Sequence, residues 1–460
     1  MINNRINTLV SKFKEYDIDG YIIPKNDEFF SEYSANDRLK TISNFSGSAG
    51  YSIILKKKNY LFVDGRYTIQ AKKEAGKNFQ VIDLHKIINC NLLKNLSIGF
   101  DPKLFTSTQI KRFFFKNNKV KSIESNLIDQ IHKYKVKLNK PFFSLDNKVA
   151  GENYKTKITK IRKYLNKNKS DYLFITAPEN IAWLLNIRGH DNPNTPIPNC
   201  QLIIDNKNNF YLITYKNKAS KLISEKKLKS EQIIEPKDFN KFISNLKGKK
   251  IIIDRSTCSI FFENLIKKKF KILKKEDPIY LLKSIKNKTE IKNSIKSHIL
   301  DGAALTKFIY WIKNNIKKNK ITEISAEKKL EKFRKRNVSY KYPSFSTISG
   351  AGPNGAIVHY RADNKTNRII KKNDIYLCDS GGQYHFGTTD VTRTMCFSDH
   401  PKKIKNIFTR VLKGHIGVAT YKLNNNTTGK QLDIIARAPL KKIGLDYQHG
   451  TGHGVGYFLN

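Results

Sequence analysis

The sequence predicts an α/β chain in which two related α/β units stand in tandem before a third unit of mixed α+β character. Three observations carry that reading. Short apolar runs bounded by Gly, Pro and Asn alternate with lysine-rich helical stretches as far as about residue 285. The order of features near residue 20 returns in outline near residue 171. Beyond Lys341 the texture changes to glycines, Ser/Thr and short β-type runs that continue to Asn460.

Residues 1–133 make the first predicted unit. Ile2, Ile6, Leu9, Val10 and Phe13 recur at helical spacing. Arg5, Lys12, Lys14 and Glu15 interrupt them, so this is an amphipathic helix without the unbroken apolar core of a signal peptide. Strand-like runs follow at 20–24, 51–55, 60–63 and 98–100, set apart by turn signals such as Gly47-Ser48-Ala49-Gly50 and Asp64-Gly65. The basic stretch 133–148, broken by Pro141, reads as a linker. Residues 150–285 make the second unit, with strands at 201–204, 210–214 and 251–254. Asp19-Gly-Tyr-Ile-Ile-Pro leads to Phe45-Ser-Gly in the first unit, and Asp171-Tyr-Leu-Phe-Ile-Thr leads to Ile187-Arg-Gly in the second, a faint internal repeat. Residues 286–460 make the third. Asn287 and Glu290 form an N-cap pair, and Ile291, Ile295, Ile299, Ala303 and Trp311 hold one face of the helix they open. A second helix is predicted near 325–335.

Composition narrows the function. No apolar run approaches the roughly twenty residues of a membrane span, and a cytoplasmic location is the default. Five scattered cysteines (Cys90, Cys200, Cys258, Cys378, Cys396) form no C-x-x-C pair and read as reduced, mostly buried thiols. The net charge of +47 invites nucleic acid. Lysine, asparagine and isoleucine are raised together along the whole chain, however, and the basic runs are short and dispersed. No recognition-helix, zinc-finger or RNA-binding signature accompanies them, so no specific nucleic-acid partner is expected.

The chemistry concentrates in three stretches. In Ile375-Tyr-Leu-Cys-Asp379-Ser-Gly-Gly-Gln-Tyr384-His-Phe-Gly387-Thr-Thr-Asp390-Val-Thr-Arg393-Thr, two strands flank a glycine-bearing turn. Pairing about a centre between Tyr384 and His385 would set Asp379 directly opposite Asp390, with Cβ atoms about 4.5–5.5 Å apart. Carboxylates that close repel unless cations lie between them, and paired hydrolytic metals sit about 3.5–4 Å apart. In His449-Gly-Thr-Gly-His453-Gly-Val-Gly, four glycines exclude an ordinary helix, each costing about 1 kcal/mol against alanine. An extended backbone there would point His449 and His453 the same way. One imidazole among carboxylates suits manganese, cobalt or iron. In Ser349-Gly-Ala-Gly-Pro353-Asn-Gly355-Ala-Ile-Val-His359-Tyr, the Gly-Lys-Ser/Thr of a phosphate loop is missing; a turn that aims His359 into a cleft is the better reading.

In order, these stretches resemble the pita-bread metallopeptidases, and within them aminopeptidase P of the long, three-domain type. The resemblance takes in Leu432-Asp and Ala436-Arg, and in the first two units Phe45-Ser-Gly-Ser-Ala-Gly, Asp64-Gly-Arg66-Tyr and Ile181-Ala-Trp-Leu-Leu-Asn-Ile-Arg-Gly. It implies two tandem creatinase-N-like domains and a catalytic domain that is incomplete at Asn460. It implies Asp379, Asp390 and His453 as ligands of two divalent ions, manganese being the usual choice, with Asp390 bridging. His359 and His449 fall where the family sets histidines around the substrate, and Arg66 matches an arginine that contacts peptide across a homodimer interface. The implied activity removes the residue before a proline at position two of a peptide, by attack of a metal-bridged hydroxide. The family's two remaining ligand glutamates lie downstream of the last motif, so the chain reads as a fragment, and residues 1–460 alone are expected to be inactive. Two alternatives share the motifs: a prolidase-like dipeptidase, and a non-catalytic pita-bread protein that binds nucleic acid or ribosomes.

Overall fold

The computed structural model describes residues 2–32, 34–88, 92–114, 118–134 and 140–459. Cys90, part of the predicted linker and Asn460 lie outside them. The chain divides into two compact units, residues 1–293 and 294–460. No helix among the described residues is long and apolar enough to cross a membrane.

The first unit holds two six-stranded sheets. One comprises β1 (Gly20–Pro24), β2 (Tyr51–Leu55), β3 (Asn59–Val63), β4 (Gln80–Asp83), β5 (Ser97–Phe100) and β6 (Lys119–Ser122), in the order 4-3-2-1-5-6. The other comprises β7 (Tyr172–Ile175), β8 (Gln201–Asp205), β9 (Phe210–Ile213), β10 (Ile233–Ile234), β11 (Lys250–Ile253) and β12 (Lys271–Lys274), in the order 10-9-8-7-11-12. Adding six to each strand of the first order gives the second. Strand directions repeat as well: β1–β2 and β2–β3 are antiparallel while β3–β4, β1–β5 and β5–β6 are parallel. Their counterparts β7–β8, β8–β9, β9–β10, β7–β11 and β11–β12 follow suit. The faint repeat is therefore a true duplication of topology.

Both sheets are covered on both faces, which is why their central strands are continuously apolar rather than alternating. Tyr21, Ile23 and Ile54 pack with Leu9 of the N-terminal helix α1 (Ile2–Ser11) and with Phe13 just beyond it, while Ile22, Ile53 and Phe62 pack on the opposite side with Phe105 and Phe113. In the second sheet Leu173, Ile175 and Leu202 meet Ile161 and Leu165 of α2 (Tyr154–Lys167), and Phe174, Ile203 and Ile253 face the other way. Lysines crowd the edge strands β6 and β12, where a charged rim blocks further strand pairing.

The helix α4 (Lys288–Asn315) opens as predicted: Asn287 N–H donates to Glu290 Oε2 at 2.8 Å, and Glu290 N–H to Asn287 Oδ1 at 2.9 Å. The helix α3 (Pro178–Leu185) packs beside α2. The predicted apolar face is corrected. Ile291, Ile295 and Ile299 are exposed, and the buried stripe runs through Ser297, Asp301, Ala304, Leu305, Phe308 and Ile312. Asp301 enters that stripe because it receives the fork of Arg334, Nε at 2.7 Å and an NH2 group at 2.9 Å.

In the second unit, α5 (Glu323–Arg334) packs Ala326 and Leu330 with Leu305, Phe308 and Ile312 of α4 against Tyr376, Cys378 and Met395. Those last three belong to an antiparallel sheet of β14 (Ile348–Ala351), β15 (Ile375–Ser380) and β17 (Val391–Cys396), ordered 14-15-17. A smaller pair joins β13 (Tyr340–Pro343) to β16 (Gly382–Tyr384). The β-type texture expected through Asn460 gives way to two helices, α6 (Lys402–Ala419) and α7 (Gly429–Lys441). Their period is visible in Ile404, Phe408, Val411 and His415, and Thr428 with Gln431 supplies a capping box. Gly414 permits their crossing: a Cβ there would stand 2.2 Å from the Ala436 carbonyl oxygen.

Candidate metal centre

Asp379 is the fifth residue of β15, held between β14 and β17 by the pairs Ile348↔Asp379 and Asp379↔Thr392. The register corrects the direct opposition of Asp379 and Asp390. Tyr384 N–H donates to Gly387 O at 2.7 Å, so the turn centres between His385 and Phe386, one position later than the sequence suggested. Asp390 then lies two residues before the true partner Thr392. It is a diagonal neighbour on the same face rather than a direct partner. The shift comes from the two-residue loop His385-Phe386, closed by the Gln383↔Thr388 bridge and by Thr389 N–H donating to Gly382 O at 3.0 Å.

The histidine-bearing tail is tied to this hairpin. Tyr457 O accepts from Gln383 Nε2 at 3.0 Å and from Thr388 Oγ1 at 2.6 Å, and Tyr457 Oη donates to His385 O at 2.8 Å. These bonds bring His453 Nε2 to 3.3 Å from Asp390 Oδ2. His453 Nδ1 lies 2.8 Å from Gly454 O. When Nδ1 carries the proton and donates it there, Nε2 presents a lone pair to the carboxylate, an arrangement that calls for a cation.

Burial pushes the Asp379 carboxyl up to about 6, against the pull of the Thr392 hydroxyl; Asp390 pushes it further up and His453 draws it down. The four groups thus share one electrostatic neighbourhood. Asp379 Oδ1 is buried and has no hydrogen-bond partner. A bare carboxylate oxygen drawn out of water is costly, and beside a second carboxylate and an imidazole nitrogen it fits a hard divalent cation. Among the described residues, no group of three or more His, Cys, Asp or Glu gathers closely enough to hold a metal ion by itself.

The remaining predicted residues are placed differently. His359 has a left-handed backbone, φ 59°, in a loop whose Tyr360 packs with Phe345 and Ile348 against Leu377 of β15. His449 stacks on Tyr447, ring centroids 4.6 Å apart, and its carbonyl accepts from an Arg437 NH2 group at 2.8 Å. Arg66, in the first unit, grips both oxygens of Asp64 at 2.7–3.2 Å and lies over the Tyr67 ring. Sequence reasoning assigned no role to Gln383 and Thr388, which dock the tail, or to Arg437, which also pairs with Asp433 and Asp446. Gln383, Thr388, Asp433 and Arg437 all lie inside recognised motifs, the one signal that could have found them.

Comparison with known proteins gives the setting. The model of the creatinase/prolidase N-terminal domain matches residues 5–131 and, in a second form, 133–290; that of metallopeptidase family M24 matches 293–460. The probable Xaa-Pro aminopeptidase P of Laccaria bicolor is 36% identical over 99% of this chain and 74% of its own length. Xaa-Pro aminopeptidase 1 of Dictyostelium discoideum is 34% identical over 100% of this chain and 77% of its own. Among solved structures, the X-prolyl aminopeptidase of Caenorhabditis elegans, described as a cytosolic enzyme with a di-nuclear active site, has a TM-score of 0.91 at 28% identity, covering 100% of this chain and 80% of that one. A prolidase of Pyrococcus horikoshii matches 66% of this chain and 83% of its own at TM-score 0.51 and 25% identity.

Proposed function

The chain belongs to the Xaa-Pro aminopeptidase P family of M24 metallopeptidases, and from that membership we propose that it acts on peptides with proline in second position, releasing the residue before it. Asp379, Asp390 and His453 are the residues that hold its divalent ions, two of them and manganese by choice. Bound there, such ions supply Lewis acidity and lower the pKa of water. The chain's own groups do the rest. Thr392 steadies Asp379, Gln383 and Thr388 hold the His453 tail on the hairpin, and His359 and His449 serve the substrate side. Arg66 contacts peptide, within a homodimer in the cytoplasm.

The observation that carries this reading is the buried, unpartnered Oδ1 of Asp379. The dipeptidase alternative rests on the prolidase likeness over two thirds of the chain, whereas relatives named aminopeptidases match it from end to end. The test compares hydrolysis of a Xaa-Pro-Yaa tripeptide with that of the Xaa-Pro dipeptide by the protein expressed in full from its gene, with Mn2+ and after chelation. Metal-dependent cleavage of the tripeptide supports the proposal. Cleavage of the dipeptide alone would make the protein a prolidase, and cleavage of neither would leave a non-catalytic binding protein.

A further inference from the structure

Glu323 is fully buried at the first residue of α5, and it belongs to no motif. Its carboxylate collects four neutral donors. Ala351 N–H reaches Oε1 at 2.7 Å, Asn354 Nδ2 reaches both oxygens at 3.0 and 3.2 Å, and Tyr360 Oη and Arg368 N–H reach Oε2 at 2.9 Å each. The backbone adds two more ties: Glu323 N–H donates to Arg368 O at 3.0 Å, and Ser349 Oγ donates to Glu323 O at 2.8 Å. Two of the six ties go to the end of β14, at Ser349 and Ala351, and four to the loop that follows it, residues 352–368. The N-terminal end of a helix favours a negative charge, and charge-assisted bonds to a carboxylate are the strong ones.

That loop carries His359, and the grip falls on both sides of it, Asn354 before and Tyr360 immediately after. His359 has the left-handed backbone that L-residues rarely adopt, a conformation that persists only where its surroundings over-determine it. Tyr360 does two jobs: its hydroxyl binds Glu323, and its ring packs on Ile348 and beside Leu377, the pairing partner and the strand neighbour of Asp379.

We propose that Glu323 is a positioning residue: its buried carboxylate locks the 352–368 loop onto the end of β14 so that His359 is held at the substrate beside Asp379. This rests on the peptidase reading and on the substrate-side role given there to His359. Glu323→Gln keeps the size but turns a donor toward donors.

The test uses the protein expressed in full from its gene, a Xaa-Pro-Yaa tripeptide and Mn2+, with E323Q, H359A and the double variant. E323Q is expected to lower kcat roughly 10–100-fold, the range of groups that orient a functional residue, with KM within about twofold of wild type and Mn2+ uptake unchanged. The double variant is expected to be no slower than H359A, because a residue acting through His359 has nothing further to lose once His359 is gone. Losses that multiply in the double variant, or wild-type kcat in E323Q, would overturn the proposal. Should E323Q fail to fold, Y360F removes one donor and keeps the ring; it is expected to lower kcat severalfold and to add nothing to H359A, and additivity there is equally fatal. A wild-type protein that leaves the tripeptide intact overturns the peptidase reading itself and this inference with it, whereas an active wild type with additive variants overturns only the inference.

Discussion

Glu323 and Asp379 are two carboxylates drawn out of water in the same unit, and they have met opposite fates. Both oxygens of Glu323 are occupied by N–H and O–H donors of β14 and the loop after it. Asp379, on the hairpin, has donors on one side only and an Oδ1 that nothing in the protein meets. A buried carboxylate with every lone pair used is a structural anchor. One with a bare oxygen that also feels another carboxylate has a site that the protein's own donors leave unused. The difference separates a residue that holds the fold from one that we propose as a metal ligand, and neither charge nor burial alone would have told them apart.

Substitution breaks the comparison most sharply at Asp379. D379N should weaken Mn2+ uptake beyond the roughly 10–100-fold typical of outer groups, with a melting temperature equal to or above wild type because a buried charge has been removed; calorimetric titration and thermal unfolding read both. The reverse pattern belongs to Glu323. E323A strands several buried donors at about 1–3 kcal/mol for each group left unsatisfied, so urea unfolding should show a loss of at least about 3 kcal/mol. T392V takes from Asp379 its hydroxyl donor and leaves the ladder intact, so Mn2+ affinity should fall about tenfold with unfolding almost unchanged.

Asp277 of the first unit supplies an intermediate case. Burial pushes it from 3.8 up to about 6, although Asn180 Nδ2 and Ile279 N–H donate to it at 2.8 and 2.9 Å. The folded chain therefore keeps this proton to higher pH than the unfolded chain. The resulting stability is present below about pH 4 and lost as pH rises through 6. In D277N that dependence disappears, so the wild-type-minus-variant difference in unfolding free energy should fall between pH 4 and pH 7.

How much of this could be read beforehand depended on whether the signal was local. The central strands around Ile22, Ile53, Leu202 and Ile252 announce themselves because both faces are buried and apolar runs result. The edge strands β6 and β12 did not, because their lysines serve to repel pairing and read as solvated surface. The helix face of Ile291, Ile295 and Ile299 misled for a related reason. The buried stripe is fixed by the Asp301–Arg334 pair, a contact across 33 residues that no periodicity contains. At the centre, Asp379, Asp390 and His453 stood out in the sequence from their glycine-flanked setting, and His453 Nε2 does lie 3.3 Å from Asp390 Oδ2. Their register was not legible, because it hangs on where a two-residue loop closes. Glu323 was invisible as an anchor because its donors lie 28 to 45 residues away.

The most direct test of the account is anomalous diffraction from crystals of the protein soaked in Mn2+. A manganese peak within bonding distance of Asp379 Oδ1, shared with Asp390 and His453, is the predicted result. A map in which that oxygen is hydrogen-bonded to protein or water, with no metal between the two aspartates, would contradict it.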